Sequence, residues 1–73
     1  MPYVKIELTK EGVTRHQKQS LIKRVTDVIT ETLNKDPQLT HVVIHEVELD
    51  DWGVGGEQVS ELRAKGITAE RKH

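Results

Sequence analysis

The sequence predicts an α/β (α+β) fold: a single βαβ unit with parallel strands and a C-terminal glycine-rich turn or hairpin, assembled into an oligomer. Three observations carry this. Residues 3–8 alternate apolar and polar side chains, residues 15–33 place apolar side chains at steps of three and four, and residues 41–48 are rich in β-branched types. The oligomer follows from size. Seventy-three residues make one domain, 1–73, and a chain this short hides only about 60% of its unfolded surface. Leu, Ile and Val supply 20 of the 73 residues, above the roughly 20% below which disorder is the default. The chain folds, but on a thin core, and small chains need a staple. With no Cys, disulfides, thiolate metal sites and thiol nucleophiles are excluded. A metal held by His and carboxylates, or self-association, remains, and self-association is the expectation.

The first strand is Tyr3-Val-Lys-Ile-Glu-Leu8. Val4, Ile6 and Leu8 alternate with Lys5 and Glu7, the period-two pattern of a half-buried strand. A polar turn, Thr9 to Gly12, follows. Thr14-Arg-His-Gln17 fits a capping box, with the Thr14 hydroxyl and the Gln17 side chain each satisfying the other's backbone N–H. Leu21, Ile22, Val25, Val28, Ile29 and Leu33 then form one helical stripe. Asn34 suits a left-handed cap and Pro37 forbids continuation. The helix is placed at 15–33. Val42, Val43, Ile44 and Val47 mark a second strand, more apolar on both sides than the first. Strand–helix–strand with one long crossover implies parallel pairing. Two strands alone are too few in water, so their open edges are expected to meet identical chains. Trp52-Gly-Val-Gly-Gly56 follows as a tight turn. Val59 and Leu62 are expected to pack on a neighbouring chain, and residues 66–73 to fray.

Charge and pattern exclude several function classes. Lys plus Arg is 11 and Asp plus Glu is 12, interspersed along the chain. No basic stripe invites nucleic acid. No apolar run spans a membrane or matches a signal peptide, so a cytoplasmic protein is expected. Gly55-Gly56 lacks the flanking residues of a phosphate-binding loop. His41 and His45 sit four apart on a strand, about 13 Å from each other, too far to share a metal. No metal site is expected. His16 and His73 read as surface residues, and Asp50-Asp51 as a solvated turn.

Met1-Pro2 offers a reactive group, with the alternative of a proline that simply tolerates the first position of a strand. Methionine before a small residue is normally removed, which leaves Pro2 as a secondary amine at the start of a strand. An α-amino group titrates near about 8, and an apolar pocket lowers it further. A neutral amine near pH 7 is a general base or a nucleophile toward carbonyls and activated alkynes.

Pro2 opening strand one, Glu11-Gly12, Gln17-Lys18, Leu21-Ile22, Val25 and Trp52-Gly-Val-Gly-Gly-Glu57 appear in a set order. In these, from Pro2 to about Arg63, the chain resembles the 4-oxalocrotonate tautomerase (2-hydroxymuconate tautomerase) family of the tautomerase superfamily. The resemblance implies βαβ chains assembled as homohexamers, trimers of dimers, with sites shared between subunits. It implies an isomerase of aromatic degradation that converts 2-hydroxydienoates or enols to ketones, with no cofactor and no metal. Pro2 matches the family's acid–base proline, and Trp52 its aromatic wall. Two positions depart from the pattern: Val13 and His41 stand where the best-known members carry carboxylate-gripping arginines, a role that suits a planar cation. Lys10, Arg15 and Arg63 are the candidate replacements, each with the alternative of a solvated surface charge, and His41 is a candidate hydrogen-bond donor. The expected substrate is accordingly a monocarboxylate enol, such as that of an arylpyruvate, over 2-hydroxymuconate. The alternatives are a non-catalytic oligomeric module of the same fold, or a Pro2-dependent dehalogenase or decarboxylase with Glu46 or Glu7 activating water.

Overall fold

The computed structural model describes residues 1–69. His73 and the last residues of the tail expected to fray, 70–73, lie outside the described residues. Strand β1 is Tyr3–Thr9. Helix α1 is Arg15–Leu33, opened by the Thr14–Gln17 capping box and closed by Asn34 at φ 53°. Both hydrogen bonds of the box are present, Gln17 N–H to Thr14 Oγ1 at 3.1 Å and Thr14 N–H to Gln17 Oε1 at 2.9 Å. A 3₁₀ turn, Pro37–Leu39, then leads into β2, His41–Val47.

Strands β1 and β2 pair in parallel, in register from Tyr3 opposite His41 to Thr9 opposite Val47. Both show the same alternation of exposed and half-buried residues. Strand β2 is therefore no more buried than β1 in this chain, and Val43 is left on the open face. Tyr3, Lys5, Glu7, His41, Val43 and His45 form that face, while Val4, Ile6 and Leu8 lie toward α1. A Lys18–Glu46 ion pair ties α1 to β2.

Beyond β2, the Asp50-Asp51 turn is the end of a 3₁₀ segment, Leu49–Asp51. Strands β3, Gly53–Val54, and β4, Glu57–Gln58, then form a hairpin. Gly55 and Gly56 occupy its two-residue loop at φ 62° and 86°. Positive φ at both loop positions is what a hairpin whose twist matches its strands demands. A second helix, α2, runs from Val59 to Ala64. It corrects the expectation for Val59: that side chain turns inward and is the one hydrophobic residue fully buried within the chain among those described. Gly66 and Ile67 donate back to α2, to the carbonyls of Arg63 and Leu62.

The chain buries little by itself. Its radius of gyration is 15.3 Å, against about 11 Å for a compact domain of this length. An open groove of about 820 Å³ runs between β1 and α1, floored by Val4, Leu8, Leu21, Val25 and Ile29. No helix among the described residues is long and apolar enough to cross a membrane.

Candidate active site

The two ends of the β1–β2 pair carry different groups of the candidate residues. At the N-terminal end, the Pro2 carbonyl accepts a hydrogen bond from the His41 backbone N–H at 2.9 Å. That bond extends the parallel ladder one step beyond Tyr3 and fixes the start of the strand. Pro2 is half-buried, whereas Met1 is 81% exposed. While Met1 is attached, the proline nitrogen is an amide and cannot exchange a proton. His41 is exposed beside Tyr3.

At the opposite end a cavity of about 400 Å³ opens between β1, the hairpin and α2. Trp52, Leu8, Val54 and Leu62 supply its apolar lining, and Arg63 its cation. Trp52 is positioned by the backbone, since its carbonyl accepts from the Val59 N–H at 2.8 Å. The Gln58 side chain adds a 3.0 Å bond to the Asp50 carbonyl. These two bonds hold the hairpin against the Leu49–Asp51 turn and α2, with Trp52 lining the cavity.

Arg63 is held on both sides. Its Nε and Nη2 donate to the two oxygens of Glu11, the latter at 3.2 Å. Its Nη1 donates to the Ile67 carbonyl at 2.9 Å. The Thr9 hydroxyl also donates to Glu11. The Arg63 hydrogen bond, then the Thr9 hydroxyl and the nearby guanidinium charge, lower the Glu11 carboxyl from its ordinary 4.5 to about 2. Hydrogen bonds to the ionised form explain that direction. The bidentate geometry is the strong form of such a pair.

Of the residues singled out from sequence, Trp52 and Arg63 share this cavity. Pro2 and His41 share the other end of the sheet, about 20 Å away at strand rise. Lys10 extends the ladder through its N–H to the Val47 carbonyl, 2.8 Å, and its ammonium meets Glu48 at 3.2 Å. Arg15 is exposed on the first turn of α1. Neither lines the cavity. Glu46 is paired with Lys18, and Glu7 lies between Lys5 at 3.8 Å and His45 at 3.5 Å. Among the described residues, no group of three or more His, Cys, Asp or Glu gathers as a metal site. Sequence reasoning missed Glu11 as the partner of Arg63, and Thr9 as the hydroxyl that donates to Glu11. Glu11 and Arg63 are 52 positions apart, so no local spacing signals the pair.

Comparison with known proteins agrees with this architecture. The family model described as "Tautomerase enzyme" matches residues 2–62. The curated "Probable tautomerase K2" of Dickeya dadantii is 54% identical over 63 residues, covering 86% of this chain and 94% of that protein. The crystal structure of DmpI from Helicobacter pylori superposes with a TM-score of 0.82 at 42% identity, covering 86% of this chain and 97% of that one. A heterohexamer 4-oxalocrotonate tautomerase from Chloroflexus aurantiacus superposes at 0.79 with 25% identity, covering 86% and 100%. A match that begins at Pro2, runs through both parallel strands and the hairpin and ends within α2 at Leu62 places the chain by descent as well as by shape: it belongs to the tautomerase family.

Proposed function

We propose that this chain is a homo-oligomeric keto–enol tautomerase whose acid–base group is the Pro2 amine. The observation that carries the reading is the position of Pro2. It is the first residue of the family match and is anchored through its carbonyl to His41 at the head of the sheet. Removal of the exposed Met1 frees a secondary amine at a fixed point. That amine takes a proton from the enol hydroxyl side of a conjugated enol carboxylate and returns one to the distal carbon. The substrate leaves as the ketone with no net change in protons. Trp52 forms the apolar wall that keeps the amine neutral near pH 7.

Within one chain Pro2 and Trp52 stand at opposite ends of β1, so the site is completed by a second copy. The open groove between β1 and α1 and the free strand edges are the surfaces for that contact. A hexamer fits the related heterohexamer in which the same fold is found. The substrate class is an enol or dienoate carboxylate. The hydrolytic alternative needs a carboxylate poised on water. Glu46 and Glu7 each face a cation or histidine instead, which disfavours it.

Ultraviolet assays of 2-hydroxymuconate and phenylenolpyruvate ketonisation test the reading, with intact mass confirming that Met1 is gone. Pro2→Ala is expected to lower kcat by about a hundredfold or more, the loss typical of a removed acid–base group. Equal rates for Pro2→Ala and the processed wild type would exclude Pro2 as the catalyst. Processed protein inactive on both substrates would turn the reading toward a non-catalytic oligomer.

A further inference from the structure

We propose that the Trp52 cavity is the subsite for the substrate's carboxylate, with Arg63 as the receptor and Glu11 as the positioning residue that aims it. The substrate class this selects is a flat, conjugated monocarboxylate enol. The identity of the ligand as an enol rests on the tautomerase reading, whereas the subsite rests on the geometry of this chain.

Three observations converge. First, the cavity combines a flat aromatic wall, Trp52, with apolar neighbours Leu8, Val54 and Leu62, and Arg63 is the single cation among its described lining residues. An apolar slot with one charged group fixes both the plane of a ligand and which end enters. Second, Arg63 is oriented before any ligand arrives. Its side chain is 20% exposed and gripped through Nε and Nη2 by Glu11 and through Nη1 by the Ile67 carbonyl. A long side chain usually loses rotamer freedom on binding, and here most of that loss has already occurred on folding. The Thr9 hydroxyl holds Glu11 in turn, so the guanidinium plane is set by the β1–α1 turn. Third, the other cations named from the sequence are elsewhere. The ammonium of Lys10 meets Glu48, Arg15 sits on the surface of α1, and His41 lies at the far end of the sheet.

Glu11 also sets the number of carboxylates accepted. One guanidinium already shared with an internal carboxylate presents a weaker field than a lone arginine. The one other charged lining residue, Glu7, supplies no cation, and its carboxylate faces Lys5 and His45 on the open face of the sheet. A second carboxylate on the ligand would find no further cation among the described lining residues. One carboxylate is therefore favoured over two.

Trp52 is the only tryptophan, so its fluorescence reports the cavity directly. The test is a titration of the processed protein with 3-phenylpropanoate and with its neutral amide. Wild type is expected to bind the carboxylate, and Arg63→Gln to weaken that binding by about tenfold or more, the scale of a lost charge-assisted pair. Amide binding is expected to stay unchanged. Arg63→Lys keeps the charge but loses the fork, so it is expected to weaken carboxylate binding by about fivefold. That variant carries the test if Arg63→Gln does not fold, as judged by circular dichroism. Glu11→Gln separates aiming from neutralisation: weaker binding supports a positioning role, and tighter binding overturns it. Carboxylate affinity within twofold of wild type in folded Arg63→Gln, or in Arg63→Lys where only that folds, would overturn the subsite. The titration needs no turnover, so it reads the subsite even if the ketonisation assay fails.

Discussion

Glu11 holds its proton less readily than an ordinary carboxyl because Arg63 and Thr9 both donate to it. In the folded chain it titrates near 2, and without those donors near 4.5. The pair therefore contributes stability that is fully present above about pH 4.5 and is lost as pH falls through about 2. Its carboxylate remains partly in solvent, so the contribution is modest and screened by salt. Unfolding of wild type and Glu11→Gln across this acid range isolates it. The stability gap between them is expected to be constant above pH 4.5 and to close toward pH 2. A gap of the same size at every pH would mean that Glu11 acts through shape and not through charge. The same contact joins the β1–α1 turn to α2, so a change in one carboxyl reaches the wall of the cavity.

At the scale of elements, local signals fix local structure. The capping box and the left-handed Asn34 bound α1 at Arg15–Leu33, the limits read from sequence, because caps and periodicity act over a few residues. Thr14→Ala removes the acceptor for the Gln17 N–H and is expected to cost about 1 kcal/mol, read as a lower Tm. A loss near zero would show that Arg15–Lys18 is held by assembly contacts instead. The parallel pairing of β1 and β2 was equally legible, since a long helical crossover leaves few other arrangements. Helix α2 was not. It is six residues long, and its N-cap, Gln58, makes no side-chain cap bond. Val59 and Leu62 are three apart, a spacing that serves a short helix or an edge contact alike. The candidate site divides in the same way. Trp52 is named through the resemblance that its glycine-rich turn carries. The Glu11–Arg63 pair joins two elements far apart in the chain, and only folding brings them together.

For the whole molecule, the geometry sets a condition on any catalysis by Pro2. The chain is 44 Å long and buries one hydrophobic residue fully among those described. Its apolar groove and strand edges are left open. Along β1, Pro2 lies about 20 Å from Leu8, which lines the cavity with Trp52, farther than a planar enol reaches. If Pro2 and Trp52 act on one substrate molecule, they come from different copies. Mixing two defective chains tests this. Pro2→Ala copies keep the cavity but lack the amine, and Trp52→Ala copies keep the amine but lack the wall. Each is expected to be nearly inactive alone. Unfolded together and refolded, they form mixed pairs in which one site receives Pro2 from one copy and Trp52 from the other. Random pairing predicts recovery of about a quarter of wild-type activity. A mixture no more active than its separate components would place Pro2 and Trp52 in unrelated sites. Recovery near a quarter would make assembly part of the catalyst, because neither chain contains a working site by itself.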